Sequence, residues 1–296
     1  MAYSLRTAHR LAPGVSLMAT IIVPAHNEAS VIRRCLDSLS RQPGVTRLIV
    51  ACNGCTDNTA DIVRMEYPDA LCLDIPTPSK VNALNEAEQH LADWPVFYID
   101  ADTRLSENAI AIITDGMARN GLLLAAPEPE IDVSHASWLV RQYYHTWLSL
   151  PYIRDGVVAT CSYVISEQGR QRFTDFPPII NDDGYVRCQF SPAERGNIPG
   201  ARIYITAPSN LHSLIKIKAR ARLGNMELAT KKLCSRPEHK PYSQILRARL
   251  FSRDCVPTLC YILISLAIRI RARHQFKSLD SYRWETDQTS RQETVP

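Results

Sequence analysis

The chain has 296 residues, 45% of them hydrophobic and 22% charged, with a net charge of +4 at pH 7. This composition excludes a disordered chain, and the length allows one large domain or a domain with an appendage. The charge is uneven, since residues 202–273 carry fifteen Lys or Arg and three Asp or Glu, a net +12 that leaves about −8 for the remainder. A basic C-terminal third is typical of phosphate binding, as in a nucleotide or anionic lipid headgroups. Aromatic residues of the kind RNA binders use are sparse there, so we expect no nucleic-acid partner.

Strand and helix patterns alternate along the first part of the chain. Apolar runs predict strands at 20–24, 47–51, 71–75, 96–99 and 122–126. Helical spacing predicts helices at 31–40, 58–66, 81–91 and 107–119. This alternation predicts an α/β fold with a mostly parallel sheet and helices on both faces. After Pro127 we expect an aromatic-rich helix at 134–150, a strand at 157–165, a short helix at 167–173, a strand at 202–206 and basic helices from 211 onward.

The apolar run at 96–99 ends in two carboxylates, Asp100 and Asp102. In open α/β sheets, ligands gather beyond the carboxyl ends of such strands. A turn near Ala101 would let both carboxylates converge on one cation, and Mg²⁺ or Mn²⁺ suits such oxygen ligands if substrate phosphates complete the set. The alternative is that Asp102 and Thr103 cap the helix that begins near Glu107.

Polar residues also follow the other predicted parallel strands. They are Asn27, Glu28, Asn53, Asp57 and Lys80. Because the carboxyl ends of parallel strands meet at one edge of a sheet, the sequence predicts one pocket there. Its amides and carboxylates are suited to a nucleobase and a ribose, and Lys80 with a metal to a diphosphate. Taken singly, each residue is also an ordinary turn or cap residue.

Residues 256–268 are apolar apart from Thr258 and Ser265, and Arg269, Arg271 and Arg273 follow at once. A run of about 13 residues is well short of the roughly 20 that span a bilayer. The segment 256–273 is therefore either a helix that packs on the domain's own surface or one that makes peripheral contact with a membrane.

Four motifs, in this order, resemble glycosyltransferase family 2: Ile22-Val23-Pro24-Ala25-His26-Asn27-Glu28, Asn53-Gly54-Cys55-Thr56-Asp57-Asn58-Thr59, Lys80 with Ala83-Leu84-Asn85, and Asp100-Ala101-Asp102. The resemblance covers about residues 20–124 and continues more weakly to about 225. It implies a GT-A-type fold, an inverting sugar transfer and Mg²⁺ or Mn²⁺ at the Asp-x-Asp. It also implies that Glu28 and Asn53 contact the nucleoside, that Lys80 lies on the uracil or phosphate side, and that Asp102 holds the metal most directly. The nucleotide-sugar residues would then be Pro24, Ala25, Asn27, Glu28, Asn53, Asp57, Lys80 and Asp100.

The family's catalytic base lies in a downstream acidic pair, and Asp182-Asp183 occupies that place. Inversion needs a carboxylate that takes the proton from the acceptor hydroxyl as it attacks the anomeric carbon, and we assign Asp183 to this role. Asp182 beside it would raise one of the two pKa values. The alternative is that the pair caps a helix.

The chain departs from the family pattern after the base. Many processive members carry Gln-x-x-Arg-Trp there, whereas this chain has the basic run 216–225. Arg220 and Arg222 in that run either approach the leaving diphosphate or belong to a solvated helix face. His212 is a further candidate metal ligand, or a packed or surface histidine. Because the motif and long membrane spans are missing, we expect a non-processive enzyme.

The resemblance sets the expected organisation and partners. We expect a loose extension at 1–18, a GT-A domain at 19–225 with a nucleotide-sugar half (19–127) and an acceptor half (128–225), and a helical, basic region at 226–296 with a frayed tail. The expected donor is a nucleotide-diphosphate sugar, a uridine diphosphate sugar first, and the acceptor a glycan, polysaccharide or lipid-linked carbohydrate of cell-envelope or exopolysaccharide biosynthesis. Nine cysteines without paired spacing and an N-terminus unlike a signal peptide lead us to expect reduced thiols and a cytoplasmic location, peripheral at a membrane if 256–273 binds one.

The sequence bears on three rival functions. An aspartate-nucleophile phosphatase needs Asp-x-Asp-x-Thr, but here Thr103 falls one place early and Arg104 stands where Thr should be. A sugar-nucleotidyltransferase should begin with a Gly-rich basic loop, where this chain has Ala25-His26-Asn27-Glu28. A non-catalytic protein that binds a nucleotide sugar or a membrane surface stays open as the non-enzyme alternative.

Overall fold

The computed structural model of the chain describes residues 18–154, 157, 161–234, 242–279, 289 and 291. The expected extension at 1–18 lies outside these residues except for Met18. The strands are β1 (Ala19–Ala25), β2 (Val45–Asn53), β3 (Leu71–Ile75), β4 (Val96–Ile99), β5 (Arg104–Leu105), β6 (Leu124–Asp132), β7 (Ser162–Ile165) and β8 (Arg195–Thr206). The helices are α1 (Ile32–Ser40), α2 (Thr59–Glu66), α3 (Lys80–Glu88), α4 (Ala109–Asn120), α5 (Trp138–Leu148), α6 (Pro151–Arg154), α7 (Glu167–Arg170), α8 (Asp182–Arg187), α9 (Leu211–Thr230), α10 (Ser243–Leu250) and α11 (Cys255–Phe276).

The strands form one sheet in the order β3-β2-β1-β4-β7-β6-β8-β5. Strands β3, β2, β1 and β4 pair in parallel, as do β6 and β8, whereas β7 is antiparallel to both of its neighbours and β5 to β8. The predicted α/β fold with a mostly parallel sheet is therefore confirmed. Because β1, β2 and β4 run in the same direction, their carboxyl ends meet at one edge.

Helices cover both faces of this sheet, as predicted. Successive residues of a strand point to opposite faces, so Ile21 and Val23 of β1 pack with α1, α2 and α4, while Ile22 packs with α3 and α8. All three of these side chains are fully buried. Apolar runs without alternation, which the sequence shows at β1 and β4, are expected of strands covered on both faces.

Helix α11 packs against α5 and α9 in a third apolar cluster. Its inner face includes Tyr261, Ile264, Ile268 and Ala272, all buried. Within the described part of the chain it is the one helix whose length and composition would allow it to cross a membrane. The alternative in which the apolar C-terminal segment packs on the domain's own surface is thus correct for one face of the helix.

Two local expectations are corrected by the structure. Asp102 and Thr103 do not cap the following helix, because α4 begins only at Ala109 with Asn108 at its N-cap position. The expectation of uniformly reduced thiols does not hold for Cys188 and Cys234, which are joined in a disulfide where the ends of α8 and α9 come together. The other seven cysteines are free.

Candidate active site

A cavity of about 340 Å³ lies at the carboxyl ends of β1, β2 and β4, with α8 and α9 forming its opposite wall. Nine of the residues predicted for the site line this one cavity: Pro24, Glu28, Asn53, Lys80, Asp100, Asp102, Asp182, Asp183 and Arg220. The predicted convergence of separated motifs at one edge of the sheet is therefore observed.

A tight turn after β4 aims the Asp-x-Asp into the cavity. The strand ends at Ile99, and the backbone amide of Asp100 donates a 2.9 Å hydrogen bond to the carbonyl oxygen of Cys161. The Thr103 hydroxyl then donates to the carbonyl oxygen of Asp100 at 2.8 Å and closes the turn. Both Asp100 and Asp102 border the cavity as a result. Burial raises the pKa of Asp102, as does the charge of Asp100, while nearby guanidinium groups oppose the shift.

Lys80 joins the two acidic motifs. It is the first residue of α3, whose N-terminus is capped by the Ser79 hydroxyl accepting from the Asn82 amide. The Lys80 Nζ lies 2.8 Å from Asp100 Oδ1 and 3.1 Å from Asp182 Oδ1. Although burial works against its charge, the two carboxylates hold the pKa of Lys80 above its ordinary value.

The second acidic pair lies in the first turn of α8. Asn181 caps this helix by accepting from the Gly184 amide, so the aspartates are not the cap. Asp182 is buried and accepts a 3.3 Å hydrogen bond from the Tyr163 hydroxyl. Asp183 lines the cavity and, unlike Asp182, is an exposed residue. Although part of the residue is open to solvent, desolvation by the surrounding protein, with the charge of Asp182, raises the pKa of Asp183 to about 6.

A glycine lets α9 approach α8 closely enough to close the cavity. A Cβ atom at Gly224 would lie 2.5 Å from the Asn181 Cβ and 3.1 Å from its backbone nitrogen. One turn earlier in α9, Ala221 and Arg220 line the cavity together with Asp182 and Asp183 of α8.

The Asp100 and Asp102 carboxylates fit a hard divalent cation that the substrate helps to bind. They are oxygen ligands on one cavity wall, as Mg²⁺ and Mn²⁺ prefer. Within the described residues no cluster of three or more His, Cys, Asp or Glu could hold a metal ion. An ion held by this pair would therefore need further oxygen ligands from a diphosphate or water.

The sequence model of the family described as Glycosyl transferase family 2 matches residues 20–166. This range contains β1, β2 and β4 together with every motif on the donor side of the cavity. The chain belongs to glycosyltransferase family 2. Among curated relatives, a PGL/p-HBAD biosynthesis glycosyltransferase of Mycobacterium bovis is 29% identical over 135 residues, 44% of this chain and 50% of that protein. The matched segments span between a tenth and a half of the length of the curated relatives.

Solved structures share the GT-A fold with this family 2 chain. A mannosyltransferase from Pyrobaculum calidifontis, in complex with GDP-Man and Mn²⁺, superposes with a TM-score of 0.58 at 17% identity, over 89% of this chain and 79% of that one. Glucosyl-3-phosphoglycerate synthase from Mycobacterium tuberculosis, in complex with Mn²⁺, UDP-Glc and phosphoglyceric acid, gives a TM-score of 0.51 at 18% identity, over 75% and 81% of the two chains.

Three residues predicted for the donor site of this family 2 chain do not line the cavity: Ala25, Asn27 and Asp57. Asn27 has a left-handed backbone, with φ of 55°, and its side-chain oxygen accepts from the Thr56 amide at 2.7 Å. The Asp57 carboxylate accepts from the amides of Ala29 and Thr59 at 3.1 and 3.0 Å. These two side chains tie the loop after β1 to the loop after β2, and so they position Glu28 and Asn53.

His212 and Arg222 are likewise outside the cavity. His212 is exposed in the first turn of α9. Nine residues, or two and a half turns, separate it from the cavity residue Ala221, so the two lie on opposite faces of the helix. Arg222 is exposed too. Desolvation lowers its pKa, and the positive charge of the nearby Arg269 on α11 lowers it further. The solvated-face alternative therefore holds for Arg222, whereas Arg220 lines the cavity.

Sequence reasoning missed two cations in this cavity. Lys218 of α9 lies with its Nζ 3.5 Å from the centre of the Trp147 ring, and burial lowers its pKa to about 8. Arg291 lies in the C-terminal segment, where a frayed tail was expected, yet its guanidinium pairs with Glu28. Its neighbour Thr289 also makes a contact, accepting from the Ser209 amide at 3.0 Å. The expectation of fraying is thus wrong at these two positions, since each makes a specific polar contact with the domain.

Proposed function

We propose that this chain is an inverting, divalent-metal-dependent glycosyltransferase of the hexosyltransferase type. It would move a sugar from a nucleotide-diphosphate sugar to an acceptor hydroxyl, one sugar at a time. The observation that carries the proposal is the meeting of the Asp-x-Asp and the downstream acidic pair in one cavity, where Lys80 bridges Asp100 and Asp182. A protein that only bound nucleotide sugars would have no need of the second pair.

The donor side of the cavity supplies the contacts for a nucleotide sugar. Asn53 at the end of β2 would face the nucleoside, beside Pro24 and Glu28. The Asn53 amide nitrogen is fixed by a 2.9 Å hydrogen bond to the carbonyl oxygen of Ala25, and the His26 ring contacts its backbone oxygen. Because the Asn53 side chain is already held in place, less conformational entropy is lost when a nucleoside binds.

Asp100 and Asp102 would hold Mg²⁺ or Mn²⁺ together with the donor's diphosphate oxygens. When bound, the cation would supply electrostatic stabilisation of the leaving diphosphate. The oxygen-only ligand pair supports this assignment. His212, the further candidate ligand, is not part of this proposal, because it lies outside the cavity.

Asp183 is the proposed general base. Lys80 and the Tyr163 hydroxyl both engage Asp182, whereas Asp183 lines the cavity as an exposed residue that an acceptor could reach. The Asp183 carboxylate takes the hydroxyl proton of the acceptor as the acceptor oxygen attacks the anomeric carbon. A raised pKa favours this role, because a base works best when its pKa is near the working pH.

The donor nucleotide is proposed to be uridine diphosphate, with guanosine diphosphate as the second choice. Of the solved structures that share the fold, one is a complex with GDP-Man and another a complex with UDP-Glc. The acceptor is proposed to be a glycan, polysaccharide or lipid-linked carbohydrate of the cell envelope or an exopolysaccharide. We also propose residues 19–225 as the GT-A domain and residues 226–296 as a helical, basic region that follows it.

Peripheral contact with the cytoplasmic face of a membrane is proposed for α11. The face opposite its packed side exposes five apolar side chains, each about half accessible: Val256, Leu259, Leu263, Leu266 and Ile270. Arg253 before the helix, and Arg269 and Arg273 within it, are exposed as well. Exposed apolar residues flanked by arginine are typical of helices that lie in an anionic lipid surface.

The decisive experiment is a donor panel. Purified protein is incubated with Mn²⁺ and each of several UDP- and GDP-sugars, with and without simple glycan acceptors, and release of the free nucleoside diphosphate is measured. We expect release from one donor class, stimulated by an acceptor, and a product of inverted anomeric configuration by nuclear magnetic resonance. Binding of a donor without any release would instead favour a non-catalytic binding protein, and a retained configuration would exclude the inverting mechanism.

A further inference from the structure

Arg291 reaches the donor cavity from near the C-terminal end of the chain. Its Nε and Nη2 donate to the two carboxylate oxygens of Glu28 at 2.7 and 2.6 Å, a bidentate pair between residues 263 positions apart. Both side chains are about one-tenth exposed. A buried pair of this geometry holds the guanidinium in one place, because two parallel hydrogen bonds fix its plane.

The same guanidinium faces the proposed metal ligands. Arg291 Nη2 lies 3.6 Å from Asp102 Oδ2, and both residues line the cavity. The Asp102 carboxylate also feels the charges of Arg220 and Arg34. The second aspartate of the Asp-x-Asp is therefore surrounded by guanidinium groups from three separate parts of the chain.

Of the cations predicted for the diphosphate, Arg220 lines the cavity as Arg291 does. Lys80 instead lies between Asp100 and Asp182, within 3.1 Å of both, and Arg222 lies outside the cavity. A diphosphate gains negative charge when the sugar leaves, and a fixed guanidinium suits it, since the planar fork matches phosphate oxygens.

We propose that Arg291 binds the diphosphate of the donor and that Glu28 positions it for this role. This inference rests on the proposed function. In the transfer step, the bond from the anomeric carbon to the diphosphate oxygen breaks and its electron pair stays on the diphosphate beside Arg291. The acceptor oxygen forms the new bond to carbon, and its proton goes to Asp183. Glu28 is then a positioning residue, rather than the nucleoside contact that the family resemblance implies.

The test compares nucleotide binding by wild type, Arg291→Ala and Arg291→Lys. Affinities for UDP, GDP, uridine and guanosine are measured by calorimetry, once with Mn²⁺ and once with EDTA. A hydrogen bond to a charged group corresponds to roughly 10- to 100-fold in affinity. We expect Arg291→Ala to lose about that factor for the diphosphate in Mn²⁺, with nucleoside affinity unchanged in both buffers. Arg291→Lys should lose less, because it keeps the charge but not the fork.

Arg33→Ala is the matched control, since Arg33 makes the same two-fold contact with a glutamate, Glu66, on the exposed surface. It should bind UDP and GDP like wild type. Thermal unfolding checks that each variant is folded. If Arg291→Ala does not fold, the comparison of wild type with Arg291→Lys tests the inference. Unchanged or tighter diphosphate binding by the folded Arg291 variants would overturn the inference. Tighter binding would show that Arg291 obstructs the donor site. Wild type that bound neither diphosphate would overturn the proposed function, and this inference with it.

Discussion

The ammonium of Lys80 lies 3.1 Å from the buried carboxylate of Asp182. This contact joins the start of α3, on the donor side, to the start of α8, on the proposed acceptor side. Because Lys80 also pairs with Asp100, one cation balances both acidic motifs. The distance between donor and base is thus set partly by this side chain.

Replacing Lys80 by Met should therefore damage both stability and activity. Removing one partner of a buried ion pair leaves an uncompensated charge and typically costs 3–5 kcal/mol, and since Lys80 is about a quarter exposed we expect about 3 kcal/mol. Activity should fall at least about tenfold in the folded variant. Arg64→Met is the control, because its 2.8 Å pair with Asp74 is exposed on both sides and neither residue lines the cavity. Denaturant unfolding and donor turnover measure the two effects, and a fully active Lys80→Met would contradict this role.

Removing the Asp102 carboxylate should abolish metal-dependent donor binding. A donor at 100 times its Kd stabilises the folded state by about 2.7 kcal/mol, which raises Tm by roughly 4 °C in a chain of 296 residues. We expect that shift in wild type with Mn²⁺ and a UDP- or GDP-sugar, but not with EDTA, and not in Asp102→Ala with either. Asp69→Ala, a change in the exposed turn before β3, should shift like wild type. An equal shift in EDTA would show that the donor binds without a metal.

The strand-end residues were predictable because they depend on local chemistry. An apolar run that stops at a polar residue indicates both the strand and its end, so the positions of Asn53, Asp100 and Asp102 followed once a parallel sheet was inferred. Asp182 and Asp183 needed the family resemblance as well, because an acidic pair alone is also a common helix start.

Other positions depended on long-range packing, which the sequence does not encode locally. Asn27 and Asp57 are turn residues by type, and only the observed hydrogen bonds separate loop positioning from ligand contact. Arg291 lies in a polar stretch without periodicity, so no pattern links it to Glu28. Arg220 and Arg222 lie on different faces of α9, and only the face of Arg220 lines the cavity. Because charged residues alternate along the basic run, the sequence does not show which face this is.

Asp183→Asn should keep donor binding and lose transfer. The amide is similar in size and still offers an oxygen to the Gly184 amide, which donates to Asp183 Oδ1 at 2.7 Å in the wild type. It cannot take the acceptor proton, and loss of general-base catalysis typically costs about 10²–10⁴-fold. UDP affinity by calorimetry and turnover with the active donor separate the two effects. Asp175→Asn, a change outside the cavity, is the control. A variant that turns over at the wild-type rate would exclude Asp183 as the base.

The acid side of the pH profile should report the same group. Desolvation and the charge of Asp182 raise the pKa of Asp183 to about 6, and a general base acts only when ionised. Turnover at saturating donor and Mn²⁺ should therefore be constant above about pH 6 and fall about tenfold per pH unit below it. Unfolding followed at each pH excludes acid denaturation as the cause. A flat profile between pH 7 and 5 would rule out this assignment.

The exposed apolar side chains of α11 should bind anionic membranes. Leu263 and Leu266 are 57% and 53% exposed, and placing a charge there opposes insertion into lipid without disturbing the packed face. We expect wild type to float with vesicles that contain about a third anionic lipid, to bind weakly to neutral vesicles, and to be released by high salt, because arginine contacts to headgroups are screened. The double variant Leu263→Glu/Leu266→Glu should stay in solution, whereas Met65→Glu, at an exposed apolar residue on α2, should float like wild type. Flotation of the double variant would show that another surface makes the contact. Loss of flotation together with a loss of donor turnover would point to general damage instead.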